Sequence, residues 1–140
     1  MKILIMGLPG AGKSTLAKEL FRELCRKNKD VLWVSSDLIR ETFNDWDFSE
    51  EGRLRQARRI LDATTNVTTE FTIIDCVAAL EEQRKIIAPD FLIWVDTVTE
   101  SRYADTNSVF QPPENRDFIV RGKNAEVYAE EIAARILASK

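Results

Sequence analysis

Five short apolar runs recur along the chain: Ile3–Met6, Val31–Val34, Phe71–Ile74, Phe91–Val95 and Phe118–Val120. They are rich in β-branched and aromatic residues and carry little polar alternation, the pattern of strands covered on both faces. Between them the apolar positions switch to a three-and-four spacing. Lys13–Lys27 sets Leu16, Leu20, Phe21 and Leu24 on one stripe. Glu50–Thr69 follows Ser49, a good N-cap, with Glu50 and Glu51 in the first turn. Leu80–Ile87 runs up to Pro89, which stops a helix, and Ala125–Leu137 repeats the same spacing. A short helix is expected over Leu38–Phe43. Strand and helix alternate throughout, which predicts an α/β fold of three layers: a five-stranded parallel sheet with helices on both faces and right-handed crossovers. Thr97–Arg116, with Pro112-Pro113, lacks periodicity. A stretch of that length inside a compact domain reads as a functional loop or lid.

At 140 residues the chain is long enough for one domain, 1–140, with its own core. Its net charge of −3 gives no reason to expect binding to DNA or an anionic membrane. There is no histidine, which excludes histidine metal sites and histidine-based triads. The cysteines, Cys25 and Cys76, lack CxxC spacing and fit a reducing cytosol with both thiols buried. The apolar stretch at the N-terminus is too short for a signal peptide or a membrane span. An intracellular, cytoplasmic protein is expected.

Candidate chemistry concentrates in Gly7-Leu8-Pro9-Gly10-Ala11-Gly12-Lys13-Ser14, which fits GxxxxGK[ST] between a predicted strand and a predicted helix. Nucleotide phosphates need backbone N–H donors at short range, and side chains would obstruct them. Gly7, Gly10 and Gly12 remove the obstruction and allow tight-turn angles. The following helix aims its N-terminal dipole at the anion. Lys13 would neutralise the β- and γ-phosphates of ATP, the Ser14 hydroxyl would ligate Mg²⁺, and Ala11 and Thr15 complete the nucleotide contacts. No NKxD-like run follows a later strand, so reading of a guanine base has no candidate residues, and a small-substrate kinase is the default.

Asp37 follows the second strand, where ligands gather in open parallel sheets. It can take a proton from an acceptor hydroxyl, attend the Mg²⁺, or simply cap the short helix. Arg40, one turn on, would face the acceptor. Four arginines fall within Arg53–Arg59. Arg55 and Arg58 read as a solvated face. Arg53 and Gln56 share a face near the helix start, and Arg53 is the better anion contact. Phe48 is a hydrophobic staple or a stacking platform for a base. Asp75 ends the third strand, as a Mg²⁺-orienting acid or as a turn residue. Arg84 is an acceptor contact or a surface ion pair.

Taken together, these segments resemble the adenylylsulfate kinase family, within the nucleoside-monophosphate-kinase-like P-loop kinases. After the P-loop, Asp37 and Arg40 match the end of that family's DGDxxR segment. Phe48-Ser49-Glu50-Glu51-Gly52-Arg53 is similar to its FSxxDR segment, with Arg58-Arg59 as its arginine pair. Val95-Asp96-Thr97 and Pro113-Glu114-Asn115 resemble its VDT and PEN. The resemblance implies a P-loop kinase fold, with Lys13 and Ser14 on ATP and Mg²⁺ and Asp37 as catalytic or metal carboxylate. It further implies that Arg40 and Arg53 grip the adenylylsulfate anion, that Phe48 stacks on its adenine, and that chains can pair as homodimers. The chain also departs from the pattern. Ser35-Ser36 stand for Asp-Gly, Gly52 for Asp, Gln56 for Asn, and Val77-Ala78-Ala79 for Ile-Ser-Pro. The basic KGLYxKAR lid is absent, and Arg102 is the one basic residue within Thr97–Asn115. The expected reaction is transfer of the ATP γ-phosphoryl to the 3′-hydroxyl of adenylylsulfate. The alternatives are a kinase for another hydroxyl, such as a polynucleotide 5′-end or a small metabolite, and a nucleotide-binding module without transfer.

Overall fold

The computed structural model describes residues 1–139. Five parallel strands form one sheet in the order β2-β3-β1-β4-β5, with β1 Lys2–Met6, β2 Val31–Ser35, β3 Phe71–Asp75, β4 Phe91–Val95 and β5 Phe118–Val120. Because successive strand side chains point to opposite faces, β1 feeds two cores. Ile3 and Ile5 pack with Leu16 and Leu20 of α1 (Lys13–Arg26) and Ile132 and Ile136 of α6 (Ala125–Ala138). Leu4 and Met6 pack on the other face with Ala57 and Ile60 of α3 (Glu50–Thr64) and Ile87 of α4 (Glu81–Ile87). The strands read as nearly continuous apolar runs for this reason. The short α2 (Ser36–Phe43) packs beside α3.

Several expectations need correction. The long helix α3 stops at Thr64 instead of Thr69. Thr64 and Thr65 turn their hydroxyls back onto the Ile60 and Leu61 carbonyls, and Asn66 takes a left-handed φ of 65°. α2 begins at Ser36, and its cap is Ser35, whose hydroxyl accepts from the Leu38 N–H at 3.5 Å. Asp37 therefore lies in the first turn and is not the cap. Thr97–Arg116 is not structureless, since α5 (Ala104–Val109) forms within it. Cys25 is exposed and only Cys76 is buried; both are free thiols. Among the described residues, no helix is long and apolar enough to cross a membrane.

Candidate active site

The carboxyl ends of β1, β2 and β3 open into one cavity of about 900 Å³. β1 sits between β3 and β4, while the chain passes from β1 to β2 across β3, so the strand order switches beside the loop that follows β1. Ligands collect at such switch points.

Two features of the loop 7–12 depend on glycine. A Cβ on Gly7 would lie 2.5 Å from the Val95 carbonyl oxygen, so the backbone can pass β4 only without a side chain. Gly10 and Gly12 take φ angles of 82° and 100°, and a Cβ on either would meet nothing within 4 Å. Their bare backbone borders open space. The first intrahelical bond of α1 runs from the Leu16 N–H to the Gly12 carbonyl at 3.1 Å, which leaves the amides just before Leu16 at the start of the helix without intrahelical acceptors. Backbone amides arranged this way can hold an anion. The Ala11 N–H already donates to the Leu8 carbonyl at 3.2 Å, closing the turn. Thr97 hydroxyl donates to the Ala11 carbonyl at 2.7 Å and ties the loop to the end of β4.

Pro9, Gly10, Gly12, Lys13 and Ser14 line the cavity; Gly7 and Ala11 of the loop and Thr15 of α1 lie outside that lining. Lys13 Nζ donates to the Leu8 carbonyl at 3.0 Å. Burial pulls its pKa below the ordinary lysine value, against the pull of Cys76, Asp75 and Asp37 in the other direction. An ammonium in this setting favours an anionic partner. Asp37 and Asp75 line the same cavity as Ser14. Burial raises the Asp75 carboxyl above its usual range, while the Trp33 indole and Lys13 act to lower it. Hydroxyl and carboxylate oxygens beside a phosphate cradle are the donor set Mg²⁺ takes, since that ion needs only one or two carboxylates and completes its shell with phosphate and water. Among the described residues no cluster of three His, Cys, Asp or Glu side chains could hold a metal by itself.

The other half of the cavity is built on α2, α3 and the segment between them. Arg40 and Arg53 are 5% and 4% exposed, and among the described residues neither forms an ion pair. Arg40 Nη1 donates to the Asp45 and Asp47 carbonyls, and Arg53 Nε to the Phe48 carbonyl. Their guanidiniums lie 4.3 and 5.5 Å from the centre of the Phe48 ring. Phe48 is 43% exposed and lines the cavity. It is therefore a platform for arginines and not a buried staple. Arg55 and Arg59 both pair with the Asp45 carboxylate, at 2.8 and 2.7 Å, so Arg55 organises this segment and is not merely solvated; Arg58 is exposed as expected. Gln56 is buried, with its Nε2 donating to the Ser36 carbonyl and hydroxyl while its Oε1 has no partner among the described residues. Arg84 lies outside the cavity lining and, among the described residues, forms no ion pair: it is buried and donates to the Ala78 carbonyl at 2.7 Å, holding that residue's left-handed turn.

The sequence reading missed Trp46, Cys76, Gln83, Tyr103 and Thr106, all of which line the cavity. Gln83 sits on α4 and donates to the Arg53 carbonyl at 3.1 Å, a contact across two helices that no local pattern encodes. Trp46 and Tyr103 are large apolar side chains in polar segments, and that mismatch was the available signal.

A sequence model described as adenylylsulphate kinase matches residues 1–111. The chain is 39% identical over 61 residues to an L-seryl-tRNA(Sec) kinase of Methanococcus maripaludis, covering 44% of this chain and 24% of that protein. It is 32% identical over 88 residues to an adenylyl-sulfate kinase of Bacillus pumilus, covering 61% of this chain and 45% of that one. The chain thus matches less than half the length of these curated relatives. Among solved structures, the Mycobacterium tuberculosis APS kinase CysC in complex with AMPPNP and APS superposes with a TM-score of 0.84 at 20% identity, covering 97% of this chain and 96% of that one. A shikimate kinase of Acinetobacter baumannii in complex with shikimate gives a TM-score of 0.65 at 19% identity, over 99% and 94% of the chains. These likenesses establish the fold of P-loop kinases. With the family model matching most of its length, the chain belongs to the adenylylsulphate kinase family.

Proposed function

We propose that the protein is an ATP-dependent phosphotransferase that moves the γ-phosphoryl of ATP to the 3′-hydroxyl of adenylylsulfate. The observation that carries this reading is the pair Arg40 and Arg53, buried and, among the described residues, without ion pairs, in the same cavity as the glycine loop. Two desolvated cations in one chamber call for an anionic acceptor. Burial pulls both arginines below their ordinary pKa, the direction a bound anion would reverse.

The loop amides and Lys13 hold the β- and γ-phosphates, and Ser14 with Asp75 would hold Mg²⁺. When bound, that ion neutralises charge building on the phosphate oxygens. Arg40 and Arg53 orient the acceptor with its hydroxyl near Asp37. The hydroxyl oxygen bonds to the γ-phosphorus as the bond from that phosphorus to the β,γ-bridging oxygen breaks. The hydroxyl proton passes to the Asp37 carboxylate, and ADP leaves with the bridging oxygen's electron pair. Most of the acceleration is positioning and charge stabilisation.

A second reading has its own support. Glu100 and Asp105, with Arg102 between them, line the cavity from the segment that corresponds to the family's basic lid and leave it net acidic. Acids there oppose a strongly anionic acceptor and fit a kinase for a different hydroxyl compound. Labelled ATP tests both readings against a panel of adenylylsulfate, seryl-tRNA, 5′-hydroxyl oligonucleotides and small polyols. Label on adenylylsulfate is the expected result. Label on another compound alone transfers the assignment to that acceptor, and tight ATP binding without transfer to any of them leaves a nucleotide-binding module.

A further inference from the structure

We infer that Trp33 is a positioning residue: its indole holds the Asp75 carboxylate off Lys13, so that both remain free for the nucleotide and its metal. The inference rests on the reading above, in which Asp75 attends Mg²⁺. Trp33 Nε1 donates to Asp75 Oδ2 at 2.6 Å. The register explains how they meet. β2 and β3 run parallel with Trp33 opposite Ile73 and Ser35 opposite Asp75. The indole, two residues before Ser35 on the same face of β2, extends along the sheet to the neighbouring strand's terminal acid.

The electrostatics around Asp75 give this bond its consequence. Lys13 and Asp75 line one cavity and attract each other. Were they to pair directly, the lysine would lose donors meant for phosphate and the carboxylate would lose an oxygen meant for the ion. Among the described residues no such ion pair forms, and Lys13 donates to the Leu8 carbonyl instead. The indole N–H is a donor only, on a rigid ring set against Phe21 of α1 with ring centres 6.3 Å apart. It therefore fixes one carboxylate oxygen at a defined place and leaves the second outside that bond. Ser35, facing Asp75 across the strand pair, has no charge to do this work or to share the metal. β3 supplies the acid, and β2 supplies the donor that orients it.

The test is ATP binding by calorimetry across a Mg²⁺ series, comparing wild type, Trp33→Phe, Asp75→Asn and the double variant. Phenylalanine keeps a ring against Phe21 while removing the donor together with part of the indole's volume, so the double-variant comparison separates the two losses. The half-saturating Mg²⁺ concentration should rise about 3–10-fold in W33F, less than a full charge-assisted hydrogen bond because the indole acts on the ion only through Asp75. It should rise further in D75N, and W33F should add nothing in the D75N background. A Mg²⁺ dependence in W33F equal to wild type, or single effects that multiply in the double variant, would overturn the role of Trp33 alone. Failure of the wild type to bind ATP would overturn the kinase reading with it. A second readout needs no change at Trp33. Its ¹⁵N–¹H indole resonance, assigned with W46F and W94F, should move when Mg²⁺ joins the ATP complex and lose that response in D75N. An indole signal indifferent to both contradicts the proposal.

Discussion

Arg53 Nη2 donates to Thr106 Oγ1 at 3.0 Å, a bond between two buried side chains that joins α3 to the short helix α5. The two residues are 53 positions apart, and this contact anchors the 97–116 segment over the acceptor side of the cavity. Thr106→Val keeps the shape and removes the hydroxyl, leaving a buried guanidinium donor unpaired at a cost of about 1–3 kcal/mol. Hydrogen exchange over Ala104–Val109 should accelerate in this variant, with Thr106→Ser near wild type. Equal protection in all three proteins would show that the segment is held elsewhere.

Gly52 stands where the family carries Asp, and the structure supplies a steric reason. A Cβ there would lie 2.2 Å from the Asp47 carbonyl oxygen and 2.5 Å from the Asp47 carboxyl carbon. Gly52→Ala forces the 45–49 segment away from α3 and should destabilise by about 1–3 kcal/mol, the range for overpacking. Thermal melts measure this directly. An unchanged Tm would mean that the segment yields freely.

Asp45 binds Arg55 and Arg59 together, and these bonds hold its carboxyl far below the ordinary value of 3.8. A depressed acid stabilises the fold above the unfolded pKa, and that contribution fades as pH falls through the folded one. Asp45→Asn should therefore lower Tm at pH 7, with the gap from wild type shrinking once the pH passes below about 4. A gap that is constant with pH would remove the charge from the explanation.

Asp75 carries the opposite sign. Burial raises its carboxyl pKa above 3.8, so ionisation costs more in the folded chain than in the unfolded one. Its contribution is fully present below the unfolded pKa and is lost as pH rises through the folded one. Asp75→Asn should melt higher than wild type at pH 8, by about 2–4 °C for each kcal/mol relieved, and the difference should narrow toward acidic pH. A lower Tm at pH 8 would contradict the cost assigned to the buried charge. Weaker Mg²⁺-dependent binding in a more stable protein is the trade expected of a functional charge.

What could be read from the sequence follows from how local each cause is. The strands were legible because burial on both faces leaves continuous apolar runs, as in Phe71–Ile74. The loop 7–14 was legible because its geometry is set by its own glycines. Arg53 was separable from Arg55 by helical phase, and it is the buried member of the two. Helix ends were less legible. α3 stops where Thr64 and Thr65 bond back to their own turn and Asn66 takes a left-handed φ, and because threonines make the same bonds inside continuing helices, the stop has no distinct pattern. The segment 97–116 hid α5, whose six residues have too few turns to show a period. Trp33, Gln83 and Thr106 act through partners 42, 30 and 53 positions away, and no window along the chain contains both ends of such a bond.

The most direct test is equilibrium binding of Mg²⁺·ATP to the wild type and to Lys13→Ala. Loss of an ammonium bonded to phosphate removes about 1.5–3 kcal/mol, so affinity should fall roughly 10–150-fold while Tm without nucleotide stays near wild type. Equal affinity in the two proteins would contradict the cradle at the start of α1.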